Sequence, residues 1–198
     1  MVTSSDKISV LLSGVFLINR SMKFDLALDT TTLLNPSLLT SALDHADLPH
    51  LAMNLLTMQL VGKRLELRLG STGFLLFSVI ALVTSTLLES VIYRGVLAKF
   101  HEDVSLGYSA VLFSYTTTIA FLEPATLWNI NPIIGGPRLV VEGRWVPWAQ
   151  LLMSSILIEN SSFVGHLSGI LGGFVANHAM GIFHAFQKKR GGRRLGRS

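Results

Sequence analysis

From Val104 to Leu122 the chain runs 19 residues without a charged side chain. A stretch that long and that apolar is hydrophobic enough to lie in a bilayer. It is one of six such segments, at about 8–28, 48–63, 73–93, 104–122, 145–158 and 162–184. Charged residues make up 14% of the 198, where a soluble domain carries about 25%. The pattern predicts an all-α membrane protein, with one domain over 1–187 and a basic tail over 188–198. The second and fifth segments fall short of the ~20 residues that cross hydrocarbon unaided. Short helices with polar groups belong inside a bundle, where protein or a water-filled cavity makes up the missing length.

Loop charge sets the orientation. With the N-terminus inside, the inner segments hold 12 of the 16 Lys and Arg residues, among them Lys63, Arg64, Arg68, Arg138, Arg144 and six between Lys188 and Arg197. The outer segments hold Arg20, Lys23, Arg94 and Lys99. The positive-inside rule then puts both termini in the cytoplasm. The basic tail, directly after an apolar helix, suits an anionic lipid surface and not a nucleic acid. Lys7 followed by the apolar run 8–19 has the outline of a secretory leader, but no small-residue cleavage site follows and Arg20 and Lys23 interrupt it. A first membrane helix is the better reading. The chain has no cysteine, which excludes disulfides, thiol catalysis and cysteine-bound metal.

This topology has a chemical consequence. The second, fourth and sixth segments all run from outside to inside. His50, Ser109 and His166 lie near the start of each, so all three sit at similar depth on the non-cytoplasmic side. Polar, ionisable groups at membrane depth are costly and point to function. Gly107-Tyr108-Ser109-Ala110 puts a serine at a helix start, where backbone amides donate toward developing negative charge. Gly165, Gly169 and Gly173 leave one face of the His166 helix bare, so a neighbouring backbone can approach closely. If that neighbour is the Ser109 helix, imidazole and hydroxyl meet. His50 and Asn54, four apart, share a helical face and offer two uncharged donors suited to an oxyanion pocket. No aspartate is placed to orient His166, which predicts a Ser–His dyad. Phe113, one turn after Ser109, is placed either to pack on the imidazole or to fill the core as an ordinary ring.

With these residues together, the chain resembles the rhomboid intramembrane serine proteases. The resemblance rests on His50-Leu51-Ala52-Met53-Asn54, on 62–71 (GKRLELRLGS), on Gly107-Tyr108-Ser109, and on Gly165-His166 with its spaced glycines. Residues 162–171 are most similar to the eukaryotic endoplasmic-reticulum group. The resemblance implies a six-transmembrane-helix bundle, with Ser109 as nucleophile and His166 as base. It implies an oxyanion site from His50, Asn54 and the Ser109 amide beside Gly107, no cofactor or metal, and single-pass membrane proteins as substrates. Its location would be the endoplasmic reticulum or another endomembrane. Two departures stand out: Ala110 replaces the family's usual glycine, and the first loop lacks the frequent Trp-Arg pair.

Rival readings fare worse. A metalloprotease would need H-E-x-x-H, yet Leu51 and Asn54 occupy the glutamate and second-histidine positions. An inactive relative that binds membrane clients for quality control would usually have lost the serine or the histidine, and both are present. His101, Glu102 and Asp103 read as a solvated outer loop, and Asn19 and Asn160 begin sequons close to the membrane.

Overall fold

Thr3 begins the first helix with a reciprocal cap: its hydroxyl accepts from the Asp6 amide while the Asp6 carboxylate accepts from its own. Helix α1 therefore spans Ser4–Met22, several residues earlier than the 8–28 expected from hydropathy, and ends where Lys23 turns left-handed at φ 56°. The computed structural model describes residues 2–29, 36–95, 106–130, 139–158 and 161–195, with side chains as far as Gly181. A short α2 (Ser37–Thr40) occupies part of the long first connection.

Asp47 caps α3 (Leu48–Thr57), accepting from the His50 amide at 2.7 Å, and Pro49 suits the first turn. A π-helical turn, Met58–Gly62, leads into α4 (Lys63–Gly95), which is broken at Gly70, where φ is +70°. The two separate segments expected at 48–63 and 73–93 are thus divided by the break at Gly70, with Gly62 on one side and Phe74 and Ser78 on the other all lying against Tyr115. An interruption of this kind suits glycine, the residue for which positive φ costs nothing. Helix α5 (Ser109–Leu122) begins five residues later than the apolar run suggests. Glycine at 107, φ +112°, makes the entering turn.

The all-α expectation misses one feature. Strands β1 (Leu127–Ile130) and β2 (Leu139–Glu142) pair antiparallel, with Leu127 opposite Glu142. Apolar runs flanking Pro and Gly between 131 and 138 were a readable hairpin signal. Helix α6 spans Val146–Leu157, and α7 runs from Phe163 to Leu195, so its backbone carries the helix through most of the segment expected as a tail. Arg138, Asn160 and residues 101–103 lie outside the described residues, as do the side chains of the basic tail.

Alongside an apolar core that includes Leu12, Phe74 and Phe77, burial departs from the water-soluble pattern. Helix α5 is enclosed from Val111 to Ala120, and its buried side chains include Ser114, Thr116, Thr117 and Thr118. Ser78 and Ser85 of α4 face it, and Ser168 of α7 is buried as well. Large apolar side chains point outward instead: Val10, Leu17, Val79, Leu152, Ile156 and Phe174. An apolar coat around a hydroxyl-rich interior is the arrangement a bilayer selects, because lipid solvates leucine and interhelical hydrogen bonds satisfy serine. By length and composition, the stretch Leu48–Gly95 can cross a membrane, while Ser109–Leu122 is apolar but shorter. At ~1.5 Å per residue α5 is too short for hydrocarbon, and its neighbours surround it.

Packing is tightest around α5. A Cβ built on Gly169 of α7 would lie 2.9 Å from the Ala110 Cα, and one on Gly173 would lie 2.9 Å from the Thr117 Cβ. Only bare glycines allow that approach. Tyr115 packs between Phe74 and Phe77, and its hydroxyl lies 2.6 Å from that of Ser78 and 3.0 Å from that of Tyr108. Buried Glu66 accepts from the Ser4 and Ser5 amides at 2.8 and 2.9 Å, joining α4 to the positive end of α1.

Candidate active site

Three helix starts meet at one end of the bundle, and each carries a polar side chain within its first turn or just beyond. His50 is the third residue of α3, Ser109 opens α5, and His166 is the fourth residue of α7. Ser162 holds the last of these starts by accepting from the Gly165 amide at 3.0 Å. Helix N-termini carry orphan amides and partial positive charge, so three together favour an anion between them.

The structure brings Ser109 and His166 into contact: Nε2 lies 3.0 Å from Oγ. The imidazole is 7% exposed, while Ser109 is half-buried and so reachable from outside. Phe113 stacks on the imidazole, ring centroids 4.4 Å apart and planes 23° from parallel. The glycine face expected to meet the Ser109 helix does so, since Gly169 rests on Ala110 and Gly173 on Ser114 and Thr117. Close backbone approach is supplied from α7, at Gly169, and the methyl of Ala110 does not block it.

His50 and Asn54 flank Gly107. A Cβ there would fall 2.7 Å from His50 Cε1 and 2.8 Å from Nε2, and 3.6 Å from Asn54 Nδ2. The missing side chain lets His50 lie directly against the turn that leads into Ser109. Asn54 is 4% exposed, and its amide donates to the His50 carbonyl at 3.1 Å within its own helix.

The family model of the Rhomboid domain matches residues 36–182, which include all five of these positions. The chain belongs to the rhomboid family. Among relatives of this rhomboid, mouse "Rhomboid-related protein 4" is 33% identical over 147 residues, covering 70% of this chain and 44% of that protein. "Rhomboid-like protein 14, mitochondrial" of Arabidopsis thaliana is 28% identical over 144 residues, 70% of this chain and 41% of its own length. "Rhomboid-type serine protease 2" of Yarrowia lipolytica is 30% identical over 177 residues, 84% of this chain and 56% of that protein. The chain spans less than half the length of the first two. Rhomboids are membrane proteins, in keeping with the apolar coat of the bundle.

Three neighbours of this rhomboid's site were not anticipated. Ser154 of α6 lies 3.0 Å from His166 Nδ1, and Ser161, just before α7, lies 3.3 Å from it. Both fall in apolar or loop sequence where serine is commonplace, so nothing distinguished them. His45 is the third. It is buried, its ring lies steeply inclined to that of His50 with centroids 5.1 Å apart, and neither ring nitrogen has a hydrogen-bond partner among the described residues. A cavity of about 160 Å³ adjoins it, lined by Phe16, Asn19, Arg20, Asp44 and Leu106. Among the described residues no three of His, Asp or Glu are grouped to hold a metal ion.

Proposed function

We propose that this rhomboid is an intramembrane serine endopeptidase that cleaves single-pass membrane proteins, with Ser109 as nucleophile and His166 as general base. The observation that carries this reading is the 3.0 Å contact between His166 Nε2 and Ser109 Oγ, made where helix N-termini meet inside an apolar-coated bundle. A serine alcohol is a weak nucleophile until an adjacent base takes its proton.

In the proposed reaction, one end of the substrate's membrane helix unwinds at the site. Ser109 Oγ attacks the exposed peptide carbonyl carbon as its proton passes to His166 Nε2. The new oxyanion is held by the Ser109 amide, His50 and Asn54, with Gly107 giving His50 the room to approach. The Asn54 amide carries two N–H donors, so the one not bound to the His50 carbonyl serves the oxyanion. As the C–N bond breaks, His166 returns the proton to the leaving amine. A water deprotonated by His166 then attacks the acyl carbon, the ester C–O bond to Ser109 breaks, and His166 returns the proton to Ser109 Oγ to free the enzyme. The polar cavity beside His45 is large enough to hold water close to this site.

The same reading takes residues 1–187 as one domain of six spans with both termini cytoplasmic and the 188–198 tail against anionic lipid. It places the protein in the endoplasmic reticulum or another endomembrane. One relative's name gives a mitochondrial location for that protein, so fractionation of cells against markers of both organelles tests the choice.

Purified protein in liposomes should cleave a transmembrane substrate, and Ser109→Ala should abolish that cleavage with helicity unchanged. Residual cleavage by the purified variant would refute the nucleophile. A client-binding, non-cleaving role is the second reading, suggested by Ala110 in place of the family's usual glycine. Covalent labelling of Ser109 by a fluorophosphonate supports the enzyme, and failure to label under conditions where a control serine hydrolase reacts supports the binder.

A further inference from the structure

The hydrogen bonds through His166 run in one sense, and counting protons shows which. The Ser154 hydroxyl lies 3.0 Å from His166 Nδ1 and 3.0 Å from the Leu151 carbonyl oxygen, which also accepts from the Ser155 hydroxyl at 2.8 Å. A carbonyl oxygen only accepts, and a neutral imidazole carries one N–H and one bare nitrogen. Suppose Nδ1 holds the proton. Then Nδ1–H donates to Ser154 Oγ, the Ser154 proton goes to Leu151, and the Ser109 proton goes to bare Nε2 at 3.0 Å. Every proton has an acceptor. In the opposite sense Nε2–H donates to Ser109 Oγ, and the Ser109 proton, with no protein acceptor among the described residues, is left to solvent.

We infer that Ser154 is a positioning residue which, backed by the Leu151 carbonyl, holds His166 in the tautomer with Nε2 bare toward Ser109. It fills the place that an aspartate fills in a catalytic triad. A hydroxyl does this without putting a fixed charge inside the bundle, where an unpaired carboxylate is costly. Linked hydrogen bonds of one sense also polarise one another, so the carbonyl behind Ser154 makes its oxygen a better acceptor. Ser161, 3.3 Å from Nδ1, offers a second oxygen to the same N–H. The arrangement therefore draws on three helices: the nucleophile on α5, the imidazole on α7 and its orienting hydroxyl on α6.

The consequence for rate rests on the protease reading, while the tautomer does not. The full chain, labelled with 15N-histidine and held in lipid nanodiscs, is compared with its His166→Gln variant to isolate the His166 ring. The expected signal is a neutral imidazole protonated at Nδ1. In Ser154→Ala/Ser161→Ala it becomes a mixture of tautomers, and Ser154→Thr, which keeps the hydroxyl, retains the parent signal. Nε2 protonation in the parent, or an unchanged signal in the double variant, overturns the inference. In cleavage assays the double variant should lose about 10-fold in kcat with KM within about twofold, and Ser154→Thr should recover most of the loss. An unchanged kcat, or a loss wholly in KM, overturns the positioning role while leaving the protease reading intact. If the parent chain cleaves nothing, the protease reading fails and the tautomer signal alone still decides the inference.

Discussion

Gly169→Ala should uncouple the serine from the histidine without touching either. The added Cβ would lie 2.9 Å from both the Cα and the carbonyl carbon of Ala110, and closer still to its oxygen. All three are backbone atoms of α5, so no side chain can swing away. Ordinary carbon contacts need about 3.5–4.0 Å, so α7 must retreat from α5 by about 1 Å. His166 lies one turn before Gly169 and Ser109 is next to Ala110, so the retreat acts directly on their 3.0 Å contact. A gap of about 4 Å is beyond hydrogen-bond range, and misplacement on that scale costs on the order of 100-fold in rate. Overpacking should also cost about 1–3 kcal/mol in stability. The assay is kcat on a transmembrane substrate in liposomes, with fluorophosphonate labelling as an independent readout. Gly181→Ala is the control, since a Cβ there meets nothing within 4 Å. If Gly169→Ala kept kcat within about threefold of the parent, the argument that glycine contact sets the dyad distance would be wrong.

Three further outcomes follow from local geometry. Gly107→Ala combines an unfavourable φ of +112° with a methyl 2.7 Å from His50, so labelling of Ser109 should fall at least about 10-fold; a parent-like labelling rate would separate His50 from the site. Glu66→Ala leaves the Ser4 and Ser5 amides without their acceptor and should lower stability by about 1–3 kcal/mol in chemical unfolding, with kcat of the folded fraction unchanged. Glu123, beyond the end of α5, is paired with Arg64 and with Arg68, the latter at 2.6 Å; burial opposes ionisation, but the two guanidinium groups outweigh it and hold the carboxyl below its usual range. Because its folded pKa is depressed, its contribution is full above the unfolded value of about 4.3 and fades as pH falls through the folded one. The stability gap between the parent and Glu123→Gln should therefore be present at neutral pH and close in acid, and a gap that stayed constant with pH would exclude the ion pairs as its source.

The placement of the site was legible because three independent signals coincided. Each polar residue sat near a helix start, the order of the segments gave the second, fourth and sixth a common direction, and glycine spacing named the face of α7 that would meet α5. Helix boundaries were less legible. Hydropathy counts apolar residues but does not see caps, so Thr3 and Asp6 lengthened α1 toward the N-terminus, and Gly107 delayed the start of α5. Ser154 and Ser161 were invisible for another reason. Which hydroxyl reaches His166 Nδ1 depends on how α6 lies against α7, and no periodicity in either helix encodes that distance. The hairpin was missed because membrane patterning favours helices, although β-branched and aromatic residues around Pro and Gly pointed to it.

The polar interior and the exposed leucines have one cause. In lipid the apolar effect does not hold helices together, so close backbone approach and interhelical hydroxyl bonds must. Ser114 shows both at once: it donates to the Gly169 carbonyl at 2.7 Å across the same contact that holds Ser109 beside His166. The forces that close the bundle around α5 are therefore the ones that position the chemistry. On this argument, losing the hydroxyl in Ser114→Ala should lower thermal stability and labelling of Ser109 together, whereas Ser168→Ala, which removes a buried hydroxyl with no partner among the described residues, should lower neither. Labelling that fell while stability held would mean that the two are set by separate contacts.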